Sequence, residues 1–243
     1  MSAVSTHPRR ARFPLLERPV PAVLFAVIAG LLNSWTFANT QTFATVQSGN
    51  IVSLGLYLVQ GEWPRVAVAL VSVVAFFTGA CLCSLLVLRL TRHGGSYSVA
   101  VLSGEALVLI AATILLSCAP IDPWWIAWGI SFLAGVQGNA FHRESGMLYG
   151  NVAVTLVVQM AGSLLGRAIG HRIASDGQPH LRPAGAYVLV LLGFASGGGI
   201  GFALDEVWST ASILSAAVLL LGLAVLALQH DGAVDPAQNA PTP

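Results

Sequence analysis

The chain has 243 residues, of which 56% are hydrophobic and only 9% charged, and its formal net charge is +1. A soluble domain carries roughly 25% charged residues, so the deficit excludes an ordinary water-soluble fold and predicts a polytopic membrane protein. The near-neutral balance argues against nucleic acid as a partner and leaves the lipid bilayer as the expected one.

In chain order, residues 1–18 are polar and basic and are expected to be disordered. Arg9, Arg10 and Arg12 precede an apolar run from Val20. No small-x-small cleavage site follows it cleanly, so the reading is an uncleaved first span, not a signal peptide. Pro19 and Pro21 open that span, where a missing N–H does little harm. After Phe37 comes an uncharged polar stretch, Asn39 to Ser48, and then a short apolar helix, Gly49 to about Gln60. Gly61-Glu62-Trp63-Pro64 reads as a turn at the headgroup level. Val66–Leu88 is a strong span ended by Arg89, Arg92 and His93. Val99–Cys118 follows and contains Glu105. Trp124, Trp125 and Trp128 open a span that ends near Phe141, before the charged break His142-Arg143-Glu144. Met147–Gly166 is apolar, residues 167–183 form a basic loop, and Ala184–Leu204 and Val207–Leu228 are the last two spans, separated by Asp205-Glu206. The tail from 229 to 243 is polar and expected to be unstructured.

These are eight apolar segments, two of which follow polar clusters. Arginine placement arbitrates their topology. If all eight cross from a cytoplasmic N-terminus, eight of the eleven arginines lie inside. If Gly49–Gln60 and Met147–Gly166 enter and leave on one side, ten lie inside and only Arg65 is outside. Gly49–Gln60 reaches roughly 18 Å at about 1.5 Å per residue, little more than half of a ~30 Å hydrocarbon core. The expected fold is therefore an all-α transmembrane bundle of six spans plus two re-entrant or broken helices, with both termini cytoplasmic. Seven or eight full spans are the alternative.

The order span, re-entrant segment, span, span occurs twice, giving a membrane repeat over 19–118 and another over 119–228. Gly49-Asn50 recurs as Gly150-Asn151, and Phe76-x-x-Gly79-x-x-x-Cys83 recurs as Phe194-x-x-Gly197-x-x-x-Gly201. Small residues four apart let helices pack closely in lipid. Three true spans per repeat would invert the second copy, an arrangement that transporters use with broken helices near the midplane. The candidate solute-binding residues are Asn33, Asn39, Gln47, Ser48, Gly49, Asn50, Glu105, Gln137, Asn139, Gly150 and Asn151. Amides both donate and accept, which suits a neutral or zwitterionic solute. Ser48 and Asn50 are expected to cap the first re-entrant helix and Asn151 the second. Glu105 is the carboxylate inside a span, and it is functional, reaches for the interface or makes a structural hydrogen bond. Its neighbour Gly104 is expected to admit another helix.

The run Gly30…Asn33…Ser48-Gly49-Asn50 resembles the first signature of the YoaK family of bacterial inner-membrane proteins, a domain of unknown function (DUF1275). Gly135-Val136-Gln137 and Arg143 resemble its second signature. The similarity covers roughly 20–228 and implies a six-span membrane protein without supplying a substrate. The sequence departs from that pattern at Asn33, where the family tends to have Asp, at Gln47-Ser48, at Gly138-Asn139 and at Tyr149. The Asp-to-Asn change removes an ionisable group.

No His-Glu-x-x-His, nucleophile-elbow or P-loop pattern occurs, so an enzyme is not expected, nor is a cofactor. Cys81, Cys83 and Cys118 lack metal-ligand spacing and read as small residues at helix contacts; no metal is expected. The functional expectation is a bacterial inner-membrane transporter or channel for a small neutral or zwitterionic solute. The rival is a non-transporting membrane subunit or interaction protein, and a homodimer is a further option.

Overall fold

Eight helices occur among the described residues: α1 (Pro19–Thr40), α2 (Gln47–Gln60), α3 (Trp63–Arg92), α4 (Tyr97–Cys118), α5 (Pro123–Ala140), α6 (Val154–Ile169), α7 (Leu181–Val207) and α8 (Ala211–Ala227). The computed structural model describes residues 19–93, 97–140, 154–170, 173 and 177–229, and no strand occurs among them. An all-helical solution is what apolar sequence in lipid requires, because each helix satisfies its own backbone. Val20–Thr40, Trp63–Leu90, Tyr97–Cys118 and Leu181–Val207 are long and apolar enough to cross a membrane, and α6 and α8 are shorter apolar helices. The expectations placed on 1–18, on the charged break at 142–144, on Gly150-Asn151 and on 230–243 lie outside the described residues.

Local chemistry shifts several expected boundaries. α1 continues through the polar Asn39 to Thr40, since Asn39 Nδ2 and Thr40 Oγ1 bond back to the Trp35 and Thr36 carbonyls. α2 ends at Gly61, whose φ of 71° is the left-handed cap that glycine adopts without strain. α3 absorbs Trp63 and Pro64, because proline in a first helical turn displaces no needed donor. The break between the last two helices is at Trp208–Thr210, not at Asp205-Glu206. Asp205 stays helical and caps α8 from the preceding helix, accepting Ser212 N–H at 2.9 Å and Ser212 Oγ at 2.6 Å.

α1 is the central helix. Its apolar window is 72% buried, against 28–39% for the other three long helices, whose remaining surface is apolar and suited to lipid. Phe25, Ile28, Leu31 and Trp35 of α1 join Ile213, Ala216 and Leu220 of α8 and Leu102 and Leu109 of α4 in the core.

Two helix pairs hold this core, α1 with α7 and α3 with α5. Along the first pair, Val23 meets Gly193, Val27 meets Gly197, and Ser34 meets Gly201. The contacts advance together, so α1 and α7 run in the same direction. Along the second, Trp128 Nε1 donates to the Val68 carbonyl (3.2 Å), Ser72 and Ser131 share a hydrogen bond (2.8 Å) and Asn139 donates to Ser84 (3.1 Å). α3 and α5 are therefore parallel too. Both crossings place backbone against backbone at reciprocal glycines. A Cβ on Gly30 would strike the Phe194 carbonyl, and one on Gly197 the Val27 carbonyl. Gly135 and Gly79 stand in the same relation to Phe76 and Phe132. Van der Waals contact and Cα–H···O contacts drive such packing where lipid supplies no hydrophobic force.

Not every small residue serves this way. Gly104 faces no neighbouring atom within 4 Å, so it does not admit another helix as expected. Cys83 is buried, as a helix-contact residue should be, whereas Cys81 and Cys118 are exposed.

Candidate functional site

The polar stretch between α1 and α2 is irregular backbone. Gln41 turns the chain at φ 56°, a left-handed conformation uncommon for any residue but glycine. The chain then folds back along α1. Phe43 stacks on Phe37 with ring centroids 4.9 Å apart, and Thr45 reaches the level of Asn33. Seven residues of helix separate Asn33 from Thr40, so α2 starts roughly 10 Å below the end of α1.

Irregular backbone at such a depth persists only if its polar groups find partners. Side chains supply them here. Asn33 Oδ1 accepts the Thr45 N–H (3.1 Å), and Asn33 Nδ2 donates to Thr45 Oγ1. Asn50 Oδ1 accepts the Phe43 N–H (3.1 Å), while its Nδ2 reaches the Phe43 carbonyl (2.7 Å), Gln47 Oε1 (2.8 Å) and Ser72 Oγ (3.0 Å). Gln47 Nε2 donates to the Ala44 carbonyl at 2.7 Å. Through Ser72 and Ser131 the network ties α2, α3 and α5 together.

This geometry corrects the capping expectation. α2 begins at Gln47 after Val46, with no side-chain cap bond. Ser48 is exposed, and Asn50 grips the turn before the helix, not the N–H groups of its first turn. Gly49 lets Phe43 lie close, since a Cβ there would stand 3.1 Å from its ring. Asn39 is spent on the Trp35 carbonyl at 2.8 Å.

A second polar group lies further along α5. Glu105 on α4 is 3% exposed and points into the bundle, so it does not reach for the interface. Its Oε2 accepts from Gln137 Nε2 at 3.0 Å; its buried Oε1 has no hydrogen-bond partner. Asn139 Nδ2 donates to Ser84 Oγ at 3.1 Å, next along α3 from the buried Cys83, so α3 and α5 are joined nearby. Of the expected site residues, Asn33, Gln47, Gly49 and Asn50 come together at one polar knot, and Glu105, Gln137 and Asn139 gather at another. Asn39 and Ser48 join neither. Gly150 and Asn151 lie outside the described residues.

The sequence reading missed the partners. Thr45, Ser72 and Ser131 complete the first knot. Ser72 and Ser131 are lone hydroxyls in apolar runs, a signal visible in the sequence although it names no partner. Also missed was a half-open cavity of about 220 Å³ at the end of α1, lined by Asn39, Thr40, Gln41, Thr42, Tyr57, Arg65, Val68 and Trp124.

Residues 21–226, which take in nearly all of the eight helices, match the family model described as protein of unknown function (DUF1275). The chain belongs to the DUF1275 family. No curated protein and no solved structure matches it. DUF1275 membership names no activity, and the Asn33–Thr45 and Asn50–Phe43 clamps fall well inside the matched region.

Proposed function

We propose that this DUF1275 protein is a bacterial inner-membrane transporter or channel for a small neutral or zwitterionic solute. It has six spans, and α2 and α6 enter and leave the bilayer on one side. The observation that carries the reading is the broken segment between α1 and α2. α2 restarts at the depth of Asn33, yet the cavity lining brings the end of α1 (Asn39, Thr40) beside the end of α2 (Tyr57) and the start of α3 (Arg65). A chain that descends and returns to the same rim fits a re-entrant helix and not a crossing one. Unwound backbone at mid-depth is the usual place for a transporter's solute.

Two further observations support an inverted repeat. α1–α7 and α3–α5 are equivalent parallel crossings with reciprocal glycines. α2 leans on α3 as α6 leans on α7, while α4 meets α8 across the centre. The exchange of α1 for α5, α2 for α6, α3 for α7 and α4 for α8 preserves each of these contacts.

The rival reading, a non-transporting subunit, has one observation in its favour. Asn33 and Asn50 spend their amides on the chain itself, as they would in a purely structural knot. The two readings part in a transport assay. Vesicles containing the protein should take up at least one labelled amino acid or polyol faster than empty vesicles, with uptake lost in Asn50→Leu at equal membrane abundance. Uptake equal to that of empty vesicles across the panel leaves the subunit reading. The topology is tested by cysteine labelling of intact cells at positions 65, 92 and 143. Six spans expose only position 65, and eight spans expose only 92 and 143.

A further inference from the structure

We infer that the cavity at the end of α1 is a binding site for a small oxyanion, a carboxylate on a short apolar body, with Arg65 as its anchor. This rests on the transport reading and narrows it to zwitterions, whose carboxylate end would dock here; a simple carboxylate probes that end alone. The cavity, about 220 Å³, holds roughly seven waters at ~30 Å³ each, which is the size of a small metabolite and below that of a drug-sized ligand.

Its chemistry is two-sided. Val68, Trp124 and the ring of Tyr57 give an apolar wall; Asn39, Gln41 and Thr42 give polar groups on the other side. Arg65 supplies the charge, and it is held from two directions. Its Nε meets Glu62 Oε2 at 3.0 Å, and its guanidinium lies over the Tyr57 ring, 5.5 Å from the centroid. Glu62 engages the Nε edge, so the terminal nitrogens remain to bind an oxyanion in the paired geometry that guanidinium favours. A guanidinium already fixed in place loses less conformational freedom on binding.

The cavity also adjoins the polar knot. Val68 lies in its wall, and Ser72, one helical turn further along α3, bonds Asn50 and Ser131. Gln41, the residue held at φ 56°, sits in the lining, so the strained turn of the broken segment is itself part of the site. Strain of this sort concentrates where a chain does something other than pack.

The same chemistry could be met by a free solute or by the phosphate of a lipid, and the test separates them. Full-length protein is placed in phosphatidylcholine nanodiscs and titrated with 4-methylpentanoate, L-leucine and leucinamide, with tryptophan fluorescence and heat as readouts. Both carboxylates should saturate and leucinamide should not. Arg65→Ala should weaken the carboxylates by roughly tenfold or more, and Arg65→Lys by less. Arg65 is largely exposed, so both variants should fold, as size-exclusion and circular dichroism would verify. Carboxylate binding that persists in phosphatidylglycerol nanodiscs supports a free solute. Binding abolished there supports the oxyanion site and assigns it to the bilayer. No saturable binding in either lipid, equal binding of leucinamide, or undiminished binding in Arg65→Ala overturns the site. Binding without uptake would sink the transport reading and leave this one standing.

Discussion

Asn33 holds Thr45 by both ends of its amide, its oxygen on the Thr45 N–H and its nitrogen on the Thr45 hydroxyl. Twelve positions of sequence, including the end of a helix and a reversal of direction, are pinned by one side chain. Asn33→Leu should leave a buried N–H without a partner and cost about 1–3 kcal/mol. Asn33→Asp should cost less, because a carboxylate still accepts the N–H and the Thr45 hydroxyl can turn to donate. That reversal also explains how an Asp at this position is compatible with the same clamp. Thermal unfolding of the two variants in detergent, followed by fluorescence, checks the order; equal loss in both would mean that the clamp carries no stability.

The reciprocal glycines give a sharper contrast. Gly79→Ala, Gly135→Ala, Gly30→Ala and Gly197→Ala each drive a methyl group into the backbone of the facing helix. The helices must separate, and overpacking of this kind costs about 1–3 kcal/mol. Gly104→Ala meets nothing within 4 Å and should be neutral or stabilising by about 0.5–1 kcal/mol, since alanine is the better helix former. Midpoints of thermal aggregation for the five variants should fall into two groups, with Gly104→Ala alone in the upper one.

Asp205 makes the end of α7 and the start of α8 one unit through Ser212. Asp205→Ala should cost about 1 kcal/mol, as losing a helix cap does, and Asp205→Asn should recover most of it by keeping one acceptor oxygen. Hydrogen exchange at the first turn of α8 would report the loss locally. Unchanged exchange in Asp205→Ala would remove the capping role.

How much of this was legible in the residues follows the physics of each signal. Apolar length is read directly, so the helices were found nearly in place, and the uncharged polar run from Asn39 to Ser48 marked the irregular segment. Ends were misread where a side chain's partner decides them. Asp205 looks like a loop residue until Ser212 is seen to donate to it. Asn50 looks like a cap until Phe43 is seen to occupy it. Glycine spacing located the crossings at Gly79 and Gly197, yet the same reasoning misjudged Gly104, because a glycine in sequence does not say whether anything approaches it. The cavity at Arg65 was illegible for the same reason, since its lining comes from four helices and a loop.

Glu105 and Gln137 set the last expectation. The pair joins α4 to α5 by one hydrogen bond at 3.0 Å, with Oε1 buried beside it and lacking a partner. Glu105→Gln keeps the size and an acceptor for the Gln137 N–H, and removes a carboxyl group whose burial is expensive in any charged form. Its stability should equal or exceed that of the natural protein. Glu105→Leu keeps the volume but removes the acceptor of the Gln137 Nε2 bond, and should cost about 1–3 kcal/mol. If the carboxyl group serves solute movement, Glu105→Gln should lose uptake while its thermal midpoint holds. A variant that keeps both uptake and stability would reduce Glu105 to a hydrogen-bond acceptor that glutamine replaces.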